Sequence, residues 1–556
     1  MAPAQPIAAR LQHFARVQPD RTALIVLGNG EAESERASFG DIDEGAHRVA
    51  AQLVEAGLAG RAVLLPARSD RGFVEAFFGC LYAGAIAVPV PHGAKNRDFE
   101  RIDGIARDAG AAVIFGHTPS AVAELHGLTW MEPVSKEGAA PAAPPPPDGD
   151  AVAFLQYTSG STGNPKGAVI TQRALAANLR MLGEAFAVRP DSRFLTWVPL
   201  FHDMGLSQIL LPLTSGVECV LMPPLAFMQR PLRWLQAISR HRVTISGAPN
   251  FAFELCARRA VPAISGDLDL SYWTTAFCAA EPVRASTMRR FADAFAPAGF
   301  DAGALFPCYG AAEATVFISG GTAGSGVTTL PAEATPAGMG ELVSCGRSFG
   351  GSSLAVVDPS SRAPLPDGQV GEIWVAGEHL ASGYWHNPET SAATFGAGLA
   401  PAADGPYWRS GDLGLVRDGN LYVAGRLKAL IIHRGVNHHP EDIETSIAAS
   451  HADFGTAGAV FSVDTGEEEQ VVAVCEVARA SMAQLDAPAM IDRALDAVAI
   501  THGFRLHDLV LVRPNSIART TSGKVRRDAC REEYLKGELR LAPYLPGHKQ
   551  LGRYAA

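Results

Sequence analysis

The chain has 556 residues, 47% of them hydrophobic and 19% charged, with a formal net charge of −10. A single hydrophobic core stops growing near ~250–300 residues, so two or more domains are expected, and the acidic balance argues against a nucleic-acid binder, which needs a basic footprint. The eight cysteines include no CxxC pair, which argues against a zinc site, a dithiol redox motif and, at this length, a disulfide framework; reduced and mostly buried thiols are expected.

From the N-terminus, polar and charged residues interrupt 1–20 before a signal-peptide core can form. No apolar run reaches the ~18 residues of a membrane span, so a cytoplasmic protein without stable membrane insertion is expected. Residues 24–27 read as a strand, and 41–56 as an amphipathic helix with Ile42, Ala46, Val49, Leu53 and Val54 on one face. A strand at 62–65, a helix at 73–82 and a strand at 85–90 continue the alternation. That alternation predicts an α/β fold with helices covering sheets. The Pro/Ala/Gly-rich stretch 138–149 reads as a surface linker, and a short apolar strand at 151–156 follows it.

Next comes Tyr157-Thr-Ser-Gly-Ser-Thr-Gly-Asn-Pro-Lys-Gly167. Glycines let backbone N–H groups approach an anion, Ser and Thr side chains supply hydroxyls, and Lys166 supplies positive charge; this is the chemistry that holds phosphates. It is not a Walker A loop, because Pro165 precedes Lys166 and Gly167 follows it. Read alone it is also compatible with a plain Ser/Gly surface loop. Further along, 195–198, 371–376 and 421–424 read as strands. Past Arg426 the composition shifts. A strand at 430–432, a helix opening at Pro440 with Glu441 and Asp442 in its first turn, and a strand at 471–477 predict a smaller α+β domain. The boundary is placed near Leu427, giving domains 1–426 and 427–556.

Four further segments carry chemistry: Phe201-His-Asp-Met-Gly205, Tyr309-Gly-Ala-Ala-Glu-Ala-Thr315, Trp408-Arg-Ser-Gly-Asp412 and Thr521-Ser-Gly-Lys524. Together with the glycine-rich loop, and in this order, they resemble the adenylate-forming superfamily of acyl-CoA synthetases, luciferases, peptide-synthetase adenylation domains and fatty acyl-AMP ligases. The resemblance spans nearly the whole chain. It implies a large multi-sheet N-terminal α/β domain, a small mobile α+β C-terminal domain, and an active site between them that uses ATP and Mg²⁺.

What the resemblance implies is specific to residues. Thr158, Ser159, Gly160, Ser161, Thr162, Gly163 and Lys166 would hold phosphates, with Thr158 also near the metal. His202 would border the acyl site; on its own it reads as a satisfied core histidine. Tyr309, Gly310 and Ala311, with Ala280 and Glu281 (and the neighbouring Ala279) on a second strand end, would surround adenine, Tyr309 through its π face. Glu313, a hard oxygen ligand, would bind Mg²⁺. Asp412 would accept from both ribose hydroxyls, as a carboxylate can, and Arg426 would reach the same nucleotide. Lys524 would stand against the charge that develops when a carboxylate oxygen attacks the α-phosphorus. Because the substrate carboxylate is the nucleophile, Cys308 is expected to be a core residue.

Shorter phrases resemble the fatty acyl-AMP ligase branch: Phe154-Leu-Gln-Tyr157, Ala248-Pro-Asn-Phe251, Ala280-Glu-Pro-Val-Arg284, Ala312-Glu-Ala-Thr315 leading to Ser319-Gly-Gly321, Val343-Ser-Cys-Gly-Arg347 and Asn437-His-His-Pro-Glu-Asp-Ile443. That branch makes a fatty acyl adenylate and passes the acyl group to the phosphopantetheine of an acyl carrier protein. Two features depart from the pattern. The span 320–342, where the branch carries an insertion that limits movement of the small domain, is short and rich in Gly, Ala and Thr. Ala429 stands where the family's hinge has an aspartate. An acyl-CoA synthetase using free CoA, an amino-acid-activating domain and a non-catalytic nucleotide-binding scaffold are the alternatives. The basic residues Arg526, Arg527, Arg531 and Lys536 are either a carrier-protein docking surface or a solvated helix face.

Overall fold

A computed structural model describes residues 6–92, 96–116, 127–133, 148–158, 166–259, 268–336, 339–401, 404–427, 431–433, 436–464, 469–483, 485–520 and 524–543. The predicted linker lies mostly outside the described residues, as do Ser159, Gly160, Ser161, Thr162, Gly163, Lys428 and Ala429.

Two large sheets organise the N-terminal part. One has nine strands, ordered Arg347–Ser348, Ser319–Gly320, Leu305–Tyr309, Thr275–Cys278, Ile245–Ala248, Arg193–Thr196, Glu218–Leu221, Thr22–Leu27 and Glu33–Ser38. Its middle strands pair in parallel and its outer pairs are antiparallel. The other has six strands, ordered Thr129–Met131, Val113–Phe115, Ala62–Pro66, Ile86–Val90, Val152–Thr158 and Lys166–Thr171. Strands covered on both faces read as continuous apolar runs, which is why TALIVL and AVLLP look as they do.

The two faces of each strand serve different cores. Leu24 and Val26 join Val63 and Leu65 in a central core, with the helices Phe39–Glu55, Arg71–Ala83, Gln172–Ala185 and Asp203–Ser215 lying between the sheets. Ile25 and Leu27 face an aromatic core on the far side of the nine-stranded sheet, where Trp234 and Trp273 meet edge to face at 5.2 Å. Ala62 and Leu64 face the helix Asn96–Ala109 on the far side of the other sheet. The architecture is therefore α/β with helices covering both sheets.

Local signals explain the helix boundaries. Phe39–Glu55 starts at a reciprocal capping box: Asp41 N–H donates to the Ser38 hydroxyl, and Ser38 N–H donates to the Asp41 carboxylate. Ile42, Ala46, Val49 and Leu53 are buried as expected, but Val54 is 49% exposed. The expectation for Val54 was wrong because one further residue turns the side chain ~100° away from the stripe that ends at Leu53.

A five-stranded sheet follows, with Gly371–Ala376 and Asn420–Arg426 flanking the long strand Asp404–Arg417. The short sheet Thr329–Leu330/Leu342–Val343 lies within the predicted insertion. Past Arg426 the chain builds a separate three-stranded sheet of Phe454–Asp464, Glu469–Val477 and Asp508–Val512. Val471, Ala473 and Cys475 pack on the helices Pro440–Ser450 and Ala487–His502, while Val472 and Val474 pack on Arg527–Lys536. This unit meets the larger part where the Arg284 guanidinium bonds the Thr445 hydroxyl and Gly340 N–H donates to Asp442. All eight cysteines are buried and unpaired with one another, Cys308 within the central core.

Candidate active site

The site gathers at the ends of two parallel strands of the nine-stranded sheet. Thr275–Cys278 runs out into Ala279, Ala280 and Glu281, and Leu305–Tyr309 runs out into Gly310. Ala280 has φ +70° and Thr315 φ +66°. Left-handed backbone at a residue with a Cβ costs on the order of 1–3 kcal/mol and is held only where neighbours over-determine it. At Thr315 the hold is visible: its hydroxyl donates to His379 O at 2.8 Å. Gly310 is required sterically, since a Cβ there would stand 1.7 Å from Val316 O.

The buried amide of Asn178 fastens this turn from beneath. It donates to Ala314 O at 3.1 Å and Phe317 O at 2.8 Å, and accepts from Phe317 N–H at 3.2 Å. The short 3₁₀ turn Ala312–Ala314 then presents Glu313. The Glu313 backbone carbonyl accepts from Ala381 N–H, and one carboxylate oxygen accepts from the Tyr384 hydroxyl at 2.9 Å.

Tyr309 is engaged through its hydroxyl. It is buried, and its hydroxyl donates to Asp412 at 2.7 Å, with burial and that carboxylate holding the phenol protonated. The other Asp412 oxygen is 3.0 Å from Arg426 Nε. These two residues are antiparallel partners on the hairpin formed by the last two long strands of the five-stranded sheet. Glu281 is also engaged, accepting Phe251 N–H at 2.5 Å; burial raises its pKa against that bond and the nearby Lys524.

Phe201-His-Asp-Met-Gly205 forms the start of the helix Asp203–Ser215, with His202 at its N-terminal cap position. Gly205 lets that first turn sit on the preceding segment, as a Cβ would meet Pro199 O at 2.3 Å. Phe201 O accepts from the Gln156 amide at 2.9 Å, which ties this turn to the strand entering the glycine-rich loop. Asp203 is pushed up to about 6 by burial, against the Met204 N–H and Lys524, with Glu313 adding to the rise.

Tyr157 and Gly167, expected within a loop, are cross-strand partners in an antiparallel hairpin. Tyr157 is buried, bonded through its hydroxyl to Asp108 at 2.6 Å, and Gly167 lies against its ring. The expectation failed there because residues flanking a tight loop extend the ladder as long as their N–H and C=O groups find partners. Thr158 ends one strand and Lys166 begins the other. The Lys166 ammonium sits over the Tyr384 ring, 5.6 Å from its centroid.

Lys524 comes from the C-terminal unit. Thr520 holds its backbone: Lys524 N–H donates to the Thr520 hydroxyl at 3.0 Å, and Lys524 O accepts from Thr520 N–H at 2.7 Å. Solvent still reaches the residue, yet the surrounding protein lowers its pKa by desolvation and Arg426 adds to that, while Asp203, Asp412 and Glu281 act in the opposite sense. The geometry therefore brings Lys524, Asp203, Glu281, Asp412, Tyr309 and Arg426 into one electrostatic neighbourhood, with Glu313 coupled to it through Asp203 and Arg426. Asn178 and Tyr384 were not foreseen. A buried-amide staple leaves no local signal, but the Gly383-Tyr384 pair after a strand was a visible cue for a fixed aromatic.

Comparison with known proteins fits this arrangement. The family model described as "AMP-binding enzyme" matches residues 11–385, and one described as "Disco-interacting protein 2-like, AMP domain" matches 428–543. A medium-chain-fatty-acid–[acyl-carrier-protein] ligase of Moorena producens is 39% identical, covering 95% of each chain. A long-chain-fatty-acid–AMP ligase of Mycobacterium marinum is 34% identical over 95% of this chain and 97% of its own. The crystal structure of a fatty acyl-adenylate ligase from L. pneumophila, in complex with acyl adenylate and pyrophosphate, superposes with a TM-score of 0.73 at 34% identity, covering 97% of each chain.

The chain belongs to the AMP-binding enzyme family, whose members form adenylates from ATP. Within it, the chain is an adenylate-forming ligase of the fatty acyl-AMP ligase type.

Proposed function

We propose that the protein activates a fatty acid with ATP and passes the acyl group to the phosphopantetheine thiol of an acyl carrier protein. In the first step a carboxylate oxygen bonds to the α-phosphorus and pyrophosphate leaves. In the second, the thiol sulfur bonds to the acyl carbon, AMP leaves and the thiol proton is released. The observation that carries the reading is the placement of Lys524, borne by the smaller unit, among Asp203, Glu281, Asp412 and Arg426 of the larger one.

The roles follow from the contacts. A carboxylate has about four lone-pair sites. Tyr309 and Arg426 occupy one on each Asp412 oxygen, which leaves two for the ribose hydroxyls. Gly310, Ala311 and Ala280 leave room for adenine beside Tyr309. Lys524 opposes the charge that builds on the α-phosphoryl group, a kind of stabilisation in which preorganised charge lowers the barrier. Lys166 serves the phosphates together with the hydroxyls and N–H groups of 158–163, and His202 borders the acyl carboxylate.

The donor set fits Mg²⁺: Glu313 keeps one oxygen free of Tyr384, and carboxylate and hydroxyl oxygens such as those of Glu313 and Thr158 suit that hard cation. When bound, the ion would neutralise the phosphate oxygens. The eight buried thiols suit a reducing cytoplasm. Names of the relatives support fatty acid and carrier protein as partners. The domain division at Arg426 is supported by the separate C-terminal sheet.

Fatty-acid-dependent exchange of pyrophosphate into ATP tests the first step, across acids of different chain length. No exchange with any acid would favour the scaffold reading. The second step is tested by offering holo carrier protein and free CoA in parallel. Turnover with CoA alone would move the protein to the acyl-CoA synthetase reading.

A further inference from the structure

Tyr384 lies between the two charges that the nucleotide needs. Its backbone is sewn to both neighbours. Val169 N–H donates to Gly383 O, Ser382 N–H to Val169 O and Trp385 N–H to Gly167 O, which fixes the segment along the strand that begins at Lys166. Ala381 N–H donates to Glu313 O, which fixes the same segment to the turn carrying Glu313. The Tyr384 N–H itself donates to the Ser391 hydroxyl at 2.8 Å, and its ring packs edge-on against Phe395 at 5.4 Å.

The side chain then makes two contacts of opposite electrostatic sense. Its hydroxyl donates to one Glu313 carboxylate oxygen at 2.9 Å, and its ring face receives the Lys166 ammonium at 5.6 Å. Among the described residues Lys166 and Glu313 form no salt bridge with each other, although both contact the same side chain. An ammonium and a carboxylate that met without a spacer would attract strongly in a partly desolvated cleft. A pair between them would take the cation from the phosphates and the acid from the metal. The aromatic face gives the ammonium a favourable seat.

We propose that Tyr384 is a positioning residue that keeps Lys166 and Glu313 apart and oriented, so that one serves the phosphates of ATP and the other the divalent cation. This rests on the reading of Glu313 as the Mg²⁺ ligand. It extends that reading to a residue outside the motifs from which the site was first recognised.

The test is ATP binding to the full chain by titration calorimetry at stepped Mg²⁺ concentrations, which needs no turnover. Tyr384→Phe keeps the ring under Lys166 and loses the bond to Glu313. It is expected to raise the Mg²⁺ needed for half-maximal binding about 10-fold, within the range for loss of a group that orients a metal ligand, with ATP affinity in the absence of Mg²⁺ unchanged. Tyr384→Leu removes the spacer and is expected to weaken binding both with and without Mg²⁺. Adding Lys166→Met to Tyr384→Leu is expected to bring the Mg²⁺ requirement back toward that of Tyr384→Phe, because no ammonium remains to pair with Glu313. Wild-type Mg²⁺ dependence in Tyr384→Phe overturns the proposal, and this comparison decides alone if the leucine variant does not fold. Glu313→Gln separates the two levels. If it too retains wild-type Mg²⁺ dependence, the metal reading itself fails and the role of Tyr384 falls with it.

Discussion

Tyr309 donates its hydroxyl to Asp412 at 2.7 Å across 103 residues of chain, and the bond is buried. It joins the end of a nine-stranded sheet to a hairpin of a different sheet, so the Asp412 carboxylate is aimed by a residue from another layer. Hydrogen bonds to charged groups contribute about 1.5–3 kcal/mol. Tyr309→Phe is expected to lower stability by that amount in urea denaturation and to raise the KM for ATP, with the KM for fatty acid little changed. An unchanged KM for ATP would detach Tyr309 from nucleotide orientation.

Lys524 approaches the larger part of the molecule from the smaller unit and is surrounded by its charges. Removing a preorganised charge from a developing anion typically reduces the rate about 10²–10³-fold. Lys524→Ala is expected to show that loss in the formation of acyl adenylate, followed by mass spectrometry, while ATP binding persists. Adenylation at the wild-type rate would refute the role.

Asp508 reports on pH away from the site. It is buried, accepts the Tyr534 hydroxyl at 2.9 Å, and is pushed up to about 6 by burial from a usual value of 3.8. Between those values the folded state binds more protons than the unfolded one, so this group's contribution makes stability fall as pH rises from about 4 to about 6. Asp508→Asn keeps an acceptor for Tyr534 and abolishes the titration. Its Tm is expected to exceed that of the wild type at pH 7.5, with the difference shrinking toward pH 4.5. A constant difference across that window would show that Asp508 does not titrate there.

Arg527 belongs to neither of the two readings offered for the basic run. Its guanidinium is bonded to Glu444 by two nitrogens, at 2.7 and 2.8 Å, and to Glu441 at 2.9 Å, with all three side chains largely covered. Arg531 spends a donor on Ser462 O, and Lys536 lies 3.8 Å from Glu532. Breaking a covered ion pair from one side costs about 3 kcal/mol. Arg527→Ala is therefore expected to lower the unfolding free energy by roughly that amount, with no change in the KM for carrier protein at temperatures where the variant is folded. A raised KM with unchanged stability would restore the docking role.

Much of the site was legible in the residues because its parts are local. A glycine-rich loop with hydroxyls and a lysine, an acid after Tyr309-Gly-Ala-Ala, an aspartate after Trp408-Arg-Ser-Gly and a lysine after Thr521-Ser-Gly each carry their chemistry within a few positions. The parallel strand Ile86–Val90 was legible because burial on both faces demands an unbroken apolar run. The apolar stripe of the helix Phe39–Glu55 was legible up to its last member, where one residue too many was counted at Val54.

By itself, then, the amino-acid order determined the α/β class, the adenylate-forming family and the identity of the charged groups, since these depend on periodicity and on residues close in sequence. The tertiary structure alone decided what each charge is bonded to. Tyr309 became the donor to Asp412, Tyr384 a contact of both Lys166 and Glu313, Asn178 the staple beneath the 310–317 turn, and Arg527 a covered ion-pair partner. Those contacts join residues far apart in the chain where they build the site, by 71 positions for Glu313 with Tyr384 and by 139 for Asn178 with Phe317. Such partners are fixed by how layers pack, and a hydrogen bond between layers leaves no periodic trace in either strand.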